Sequence, residues 1–182
     1  MKYFLITTLL LLMCGAGYAQ KKCEYTANVK DSIGVYKETP EYLVYERNFG
    51  GLESYIFLSL AQTDGMPSLS VQLVDKSTDF IKAKCLDKNS RLFLQLENGK
   101  IATLIHVDQD NCGTTVRDDK GINNRVMNGA FLFVQGSIED LKSSPVSIMR
   151  IRYATDTIDY ILKTDLISEL DGKSYRPGRY FV

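Results

Sequence analysis

The chain has 182 residues, with 22 Lys and Arg against 22 Asp and Glu and a formal net charge of zero. That length suits one domain with its own hydrophobic core. The charge balance excludes the basic field with which nucleic-acid binders displace counterions from phosphates, so nucleic acid is not an expected partner.

The N-terminus carries an export pattern. Met1-Lys2-Tyr3 is a short positive segment, residues 4–13 are almost unbroken apolar, and Gly17-Tyr18-Ala19 places small residues where a signal peptidase reads them. A run of ~10 apolar residues is too short to span a bilayer. The expectation is a cleaved signal over 1–19 and a single β-rich domain over 20–182, periplasmic or secreted, with no transmembrane segment. Loss of Lys2 leaves 21 basic against 22 acidic residues. Cys14 follows Met13 and Cys23 follows Lys22, neither of which is the small residue a lipoprotein signal requires.

Beyond the signal the dominant period is two. Strands are expected at 33–38, 41–47 and 53–61, the last two joined by Asn48-Phe49-Gly50-Gly51 with glycine where positive φ is needed. Asp64-Gly65 turns the chain into 68–73, where Leu69, Val71 and Leu73 alternate with polar residues. Residues 90–97 and 100–107 flank Asn98-Gly99, a strong two-residue hairpin signal. Residues 108–125 read as a long structureless loop, the kind that often carries function. Further strands are expected at 129–135, 146–153 and 157–163. Ser137 to Asp140 opens like a capping box before Leu141, with Pro145 as the stop, and 164–170 reads as a second short helix ended by Gly172. About nine short strands at this spacing predict a mainly β fold. The form expected is an antiparallel sandwich or flattened barrel with one or two short helices near the C-terminus; the alternative is an α+β roll.

Cleavage leaves Cys23, Cys85 and Cys112. In a two-residue hairpin about Asn98-Gly99, Leu96 faces Ile101, Leu94 faces Thr103 and Leu92 faces Ile105. Extended outward, the same register sets Cys85 against Cys112. A Cys85–Cys112 disulfide is therefore expected, with Cys23 left over as a buried thiol or one that pairs with another chain.

The hairpin residues Leu94 to Lys100, the cysteine-bearing loop, Ile138-Glu139-Asp140-Leu141-Lys142 and Ser147 to Arg152 together resemble a class of small exported β-rich proteins of Gram-negative bacteria that have no assigned function. The resemblance covers about residues 85 to 163. It implies a β-rich exported domain and supplies no catalytic residues.

Few residues point to chemistry. His106 is the single histidine. It is expected opposite Arg91, half-exposed and structural, since no Gly-x-Ser-x-Gly elbow completes a triad around it. Asp108, Asp110, Gly113 and Asp119 fall at positions 1, 3, 6 and 12 of an EF-hand-like loop, which makes 108–125 a possible ligand loop and calcium the one ion the spacing admits. Cys112 stands where an oxygen ligand belongs and no helices flank the loop, so neither a metal site nor any other cofactor is expected. Glu24, Glu38, Glu41, Glu46 and Glu53 show no spacing that singles out the carboxylate pair a glycosidase needs. Tyr36, Tyr42, Tyr45 and Tyr55 read first as strand residues. The basic and aromatic tail 175–180 reads as a segment that docks on the domain or on a partner.

Two function classes follow. One is an exported non-catalytic module that binds a protein, glycan or small ligand. The other is a small extracytoplasmic hydrolase with a non-standard carboxylate site. The first is favoured, because enzymes need converging titratable groups.

Overall fold

The computed structural model describes residues 23–182 except 33 and 108. The expected signal over 1–19, with Cys14, Gln20, Ile33 and Asp108, lies outside the described residues. Thirteen strands and one α-helix are formed among those described: β1 (Ala27–Lys30), β2 (Val35–Glu38), β3 (Tyr42–Phe49), β4 (Leu52–Thr63), β5 (Met66–Ser77), β6 (Arg91–Leu96), β7 (Ile101–His106), β8 (Thr114–Arg117), β9 (Asn123–Phe133), α1 (Ser137–Ser143), β10 (Val146–Arg152), β11 (Thr157–Ile161), β12 (Leu166–Ile167) and β13 (Ser174–Tyr175).

The first eleven strands form one antiparallel sheet in the order β1-β2-β4-β5-β9-β7-β6-β10-β11, with β3 on β4 and β8 on β9. Strand β4 has two neighbours on one edge. Its last residues pair with β2 and its first seven with β3. The handover occurs at Thr39-Pro40, where the Thr39 hydroxyl oxygen accepts the Leu60 N–H at 2.9 Å and stands in for a ladder bond. The sheet curls until its far strands meet: Tyr45 of β3 packs edge-on against Tyr160 of β11, ring centroids 5.0 Å apart. One buried cluster joins Val44, Ile56 and Leu58 with Leu92, Leu94 and Met149. The fold is thus mainly β, and the seven-residue α1 adds no helical layer such as an α+β roll requires.

Local chemistry explains the turns. Phe49 pairs with Leu52 and Thr63 with Met66, so Gly50-Gly51 and Asp64-Gly65 are two-residue hairpin loops. All four residues have positive φ, the type I′ geometry that matches strand twist.

Four sequence expectations are corrected. The β6–β7 loop holds three residues: the Gly99 N–H donates to Leu96 O at 3.0 Å and the Leu96 N–H to Lys100 O at 2.9 Å, with Gly99 at φ 84°. The extra residue shifts the register by one, pairing Leu92 with Leu104 and Leu94 with Ala102. Residues 108–125 are no structureless loop. Strand β8 pairs with the start of β9 around a turn in which Asp118 accepts the N–H groups of Lys120 and Ile122, both at 2.9 Å. Helix α1 has Gly136 at its N-cap and no capping box; the Ser137 hydroxyl instead donates to Thr103 O at 3.2 Å and pins the helix to β7. Residues 164–170 form no helix. Leu166 and Ser168 are buried and Ile167 is exposed, a period of two, and β12 pairs with β13 instead.

The Cys85–Cys112 disulfide is formed, with the two Cα atoms 4.0 Å apart. Beside it, Leu86 and Asn111 exchange backbone hydrogen bonds of 2.7 and 2.9 Å. Cys23 is an exposed free thiol, which removes the buried alternative. The C-terminal tail docks on the domain. The Arg176 N–H donates to the Tyr42 hydroxyl at 2.7 Å, and Tyr42 packs against Tyr175 and Tyr180. Tyr36, Tyr42, Tyr45 and Tyr55 are strand residues, and all but the exposed Tyr36 pack in or against the core.

Candidate functional site

Two hollows lie at opposite ends of the β4–β5 hairpin. The first lies by its Asp64-Gly65 turn and has a volume of about 320 Å³. Six separate segments build it. Cys23 and Tyr25 precede β1, Lys37 and Thr39 come from β2 and the residue after it, and Leu60, Ala61, Gln62 and Pro67 come from the hairpin. Phe133 ends β9. From α1 come Ile138, Leu141 and Lys142, at the i, i+3, i+4 spacing that shares one helix face. The tail contributes Tyr180 and Phe181. These rings pack in a chain: Tyr180 lies 4.8 Å from Phe181, and Phe181 lies 6.5 Å from Phe133. A shallower hollow of about 230 Å³ shares Pro67, Phe133 and Ile138 and adds Met66 and Val134.

The cleft is apolar apart from a few placed groups. Its charged lining residues are Lys37 and Lys142. The Lys37 ammonium sits over the Tyr25 ring, 5.6 Å from its centroid. Burial pushes the Tyr180 phenol up to about 12. Its oxygen lies near Thr39 and Leu60 but has no well-aligned hydrogen-bond partner among the described residues. A hollow of this size, with apolar walls and few polar groups, is what small-molecule sites offer.

The second hollow, about 230 Å³, lies where β3 meets β11 and is lined by Tyr45, Ser54, Lys84 and Tyr160 among others. Its base is polar and satisfied. The buried Asp75 accepts from the Ser54 hydroxyl at 2.6 Å and from the Lys84 ammonium at 2.9 Å. The Tyr153 and Tyr160 hydroxyls share a 2.7 Å hydrogen bond. Burial drives both phenols far above their ordinary range, and the Asp75 charge adds to it. The Ser54 hydroxyl is thus engaged by the Asp75 carboxylate, which the Lys84 ammonium also holds.

His106 lies elsewhere, and two expectations about it are corrected. It is 3% exposed rather than half-exposed, and it stands opposite Ser90, whose carbonyl accepts the His106 N–H, rather than Arg91. Its Nδ1 lies 2.9 Å from Asp87 O, which can only accept, so the proton sits on Nδ1. Its ring packs against Phe131 at 5.3 Å. These are structural contacts.

Of the possible ligand loop, Asp110 and Asp119 are exposed and Asp108 lies outside the described residues. Cys112 is committed to its disulfide. No group of three or more His, Cys, Asp or Glu able to hold a metal gathers among the described residues. The glutamates are dispersed among separate partners. Glu38 accepts from Tyr36 and Ser59, Glu46 from the Glu169 N–H, and Glu53 from Tyr55. Burial and then the Glu53 bond push the Tyr55 phenol up to about 12.

Sequence reasoning missed the apolar cleft. Its one legible trace was the spacing of Ile138, Leu141 and Lys142; the remaining walls come from segments scattered along the chain from Cys23 to Phe181. Among the described residues no helix is long and apolar enough to cross a membrane. No protein-family description, no curated protein and no solved structure matches this chain.

Proposed function

We propose that the chain is an exported, non-catalytic binding module that takes a small apolar molecule into the cleft between the β4–β5 turn, α1 and the C-terminal tail. The observation that carries this reading is the 320 Å³ of open space with mostly apolar walls at this end of the sheet. Two features support export: the signal pattern over 1–19, and the Cys85–Cys112 disulfide, a bond that persists in oxidising compartments. The binding reading is preferred to hydrolysis on chemical grounds. A general acid needs a carboxyl pushed upward. Two exposed carboxyls move the other way, held below the usual carboxylate range: Asp159 by the Arg150 guanidinium, Asp118 chiefly by the Ile122 N–H.

The test is fluorescence titration of the purified protein with N-phenyl-1-naphthylamine, a neutral apolar probe that brightens when desolvated. Saturable binding at one site per chain is expected. Ile138→Trp, which places a larger ring in the cleft, should weaken it at least tenfold without lowering the melting temperature. Absence of saturable binding to the wild-type protein overturns the reading.

A further inference from the structure

We propose that the ligand of this cleft is an amphiphile with a medium-length alkyl body and a single anionic head, carboxylate or phosphate monoester, held by Lys37 and Lys142. The proposal rests on the apolar-ligand reading above and adds the charge of the ligand.

The two charged residues that line the cleft are both cationic and come from unrelated elements, β2 and α1. No acidic side chain shares that lining. Four lysines elsewhere pair with carboxylates, Lys82 with Asp156, Lys84 with Asp75, Lys100 with Asp140 and Lys173 with Asp171, whereas Lys30, Lys76, Lys88, Lys120 and Lys163 form no such pair among the described residues. Among the described residues neither Lys37 nor Lys142 has such a partner. Asp140, only two residues before Lys142, is engaged by Lys100 on another face of the helix. The Tyr25 ring face holds the Lys37 ammonium without neutralising it. Lys142 stands in the last turn of α1, where the helix carbonyls favour a cation. Two cations without carboxylate partners beside low-dielectric walls attract an anion more strongly than they would in open water.

The dimensions set the body. At the ~30 Å³ that a water occupies in the liquid, the half-open 320 Å³ takes a body of up to about ten carbons. The adjoining hollow beside Met66 and Val134 leaves room for a somewhat longer chain. Lysine is suited to a compact head of this kind, since its ammonium acts as a point charge and makes no planar fork.

The experiment is displacement of N-phenyl-1-naphthylamine by decanoate, decyl phosphate and decanol, on the wild-type protein and on Lys37→Gln, Lys142→Gln and the double variant. An anionic ligand should bind at least tenfold tighter than decanol to the wild type. Each substitution should weaken the anion about tenfold, the size of a charge-assisted hydrogen bond, while decanol and the probe stay within twofold. Lys37→Arg and Lys142→Arg should retain most of the affinity. Preference for decyl phosphate or for decanoate assigns the head to phosphate or carboxylate. Equal binding of decanol and both anions by the wild type, or a double variant that still prefers the anion, overturns the proposal and leaves the apolar reading intact. A wild-type protein that binds neither probe nor competitor overturns both.

Discussion

The two ends of the β4–β5 hairpin meet the same geometric problem and resolve it differently. A curled antiparallel sheet leaves gaps where its far strands approach without pairing. At the open end of the hairpin the gap is floored by polar groups: Ser54, Lys84 and Asp75 satisfy one another, and the Tyr153 and Tyr160 hydroxyls pair beneath Tyr45. At the turn end the walls are apolar and the space stays open. The comparison teaches that hydrogen-bonding capacity does not mark the reactive or receptive part of this molecule. The polar seam holds the strands together, and the plain apolar cleft offers room with apolar walls.

The largest effect that separates the two ends should come from the disulfide. Cys85 and Cys112 close a loop with a sequence separation of 27, which corresponds to ~3–4 kcal/mol of loop-closure entropy. Cys85→Ser, or reductant on the wild type, should lower the melting temperature by about 10 °C. It should loosen the segment that carries Lys84 to Asp75 and leave probe affinity in the cleft unchanged at 25 °C. An unchanged melting temperature would show that the bond contributes nothing.

Removing one partner of the seam comes next. Asp75→Ala leaves the Lys84 ammonium, 25% exposed, without its carboxylate and should cost about 3 kcal/mol in denaturant unfolding. A loss under about 0.5 kcal/mol would place the pair with ordinary surface ion pairs.

Alkaline pH probes the same seam. The folded-state phenols of Tyr153 and Tyr160 are raised above the unfolded value near 10, chiefly by burial. Their contribution is fully present below that value and is lost as pH rises above it. Of the nine tyrosines that remain once Tyr3 and Tyr18 leave with the proposed signal, a late group should therefore ionise together with unfolding in a phenolate-absorbance titration. A single transition of all of them near pH 10 in the folded protein would contradict the buried pair.

The smallest effect is expected at the cleft. Lys37→Gln with Lys142→Gln should change stability by less than about 0.5 kcal/mol, as surface substitutions do. A larger loss would make these lysines structural.

The sequence showed the strands well and their register less well. Alternation at Leu69, Val71 and Leu73 and the turn pairs Gly50-Gly51 and Asp64-Gly65 specify the β3–β4–β5 core directly, because period and turn chemistry are local. Cys85 and Cys112 pair as expected through two offsets that cancel. The three-residue β6–β7 loop shifts the register by one. Three residues between Leu86 and Ser90 against four between His106 and Asn111 then shift it back. The second helix expected at 164–170 failed because burial of Leu166 and Ser168 about an exposed Ile167 follows the strand period. The loop 108–125 looked structureless because Asp, Asn and Gly dominate it; those residues build the Asp118 turn between β8 and β9. The cleft was not legible, since no local pattern links Tyr25, Leu60, Phe133, Leu141 and Phe181.

The most direct test is amide and methyl NMR mapping of the isotope-labelled protein during titration with decanoate. The account predicts shifts concentrated at Lys37, Leu60, Ala61, Ile138, Leu141 and Phe181, with Ser54, Asp75 and Tyr160 unmoved. Shifts centred on the seam, or none at saturating ligand, would contradict it.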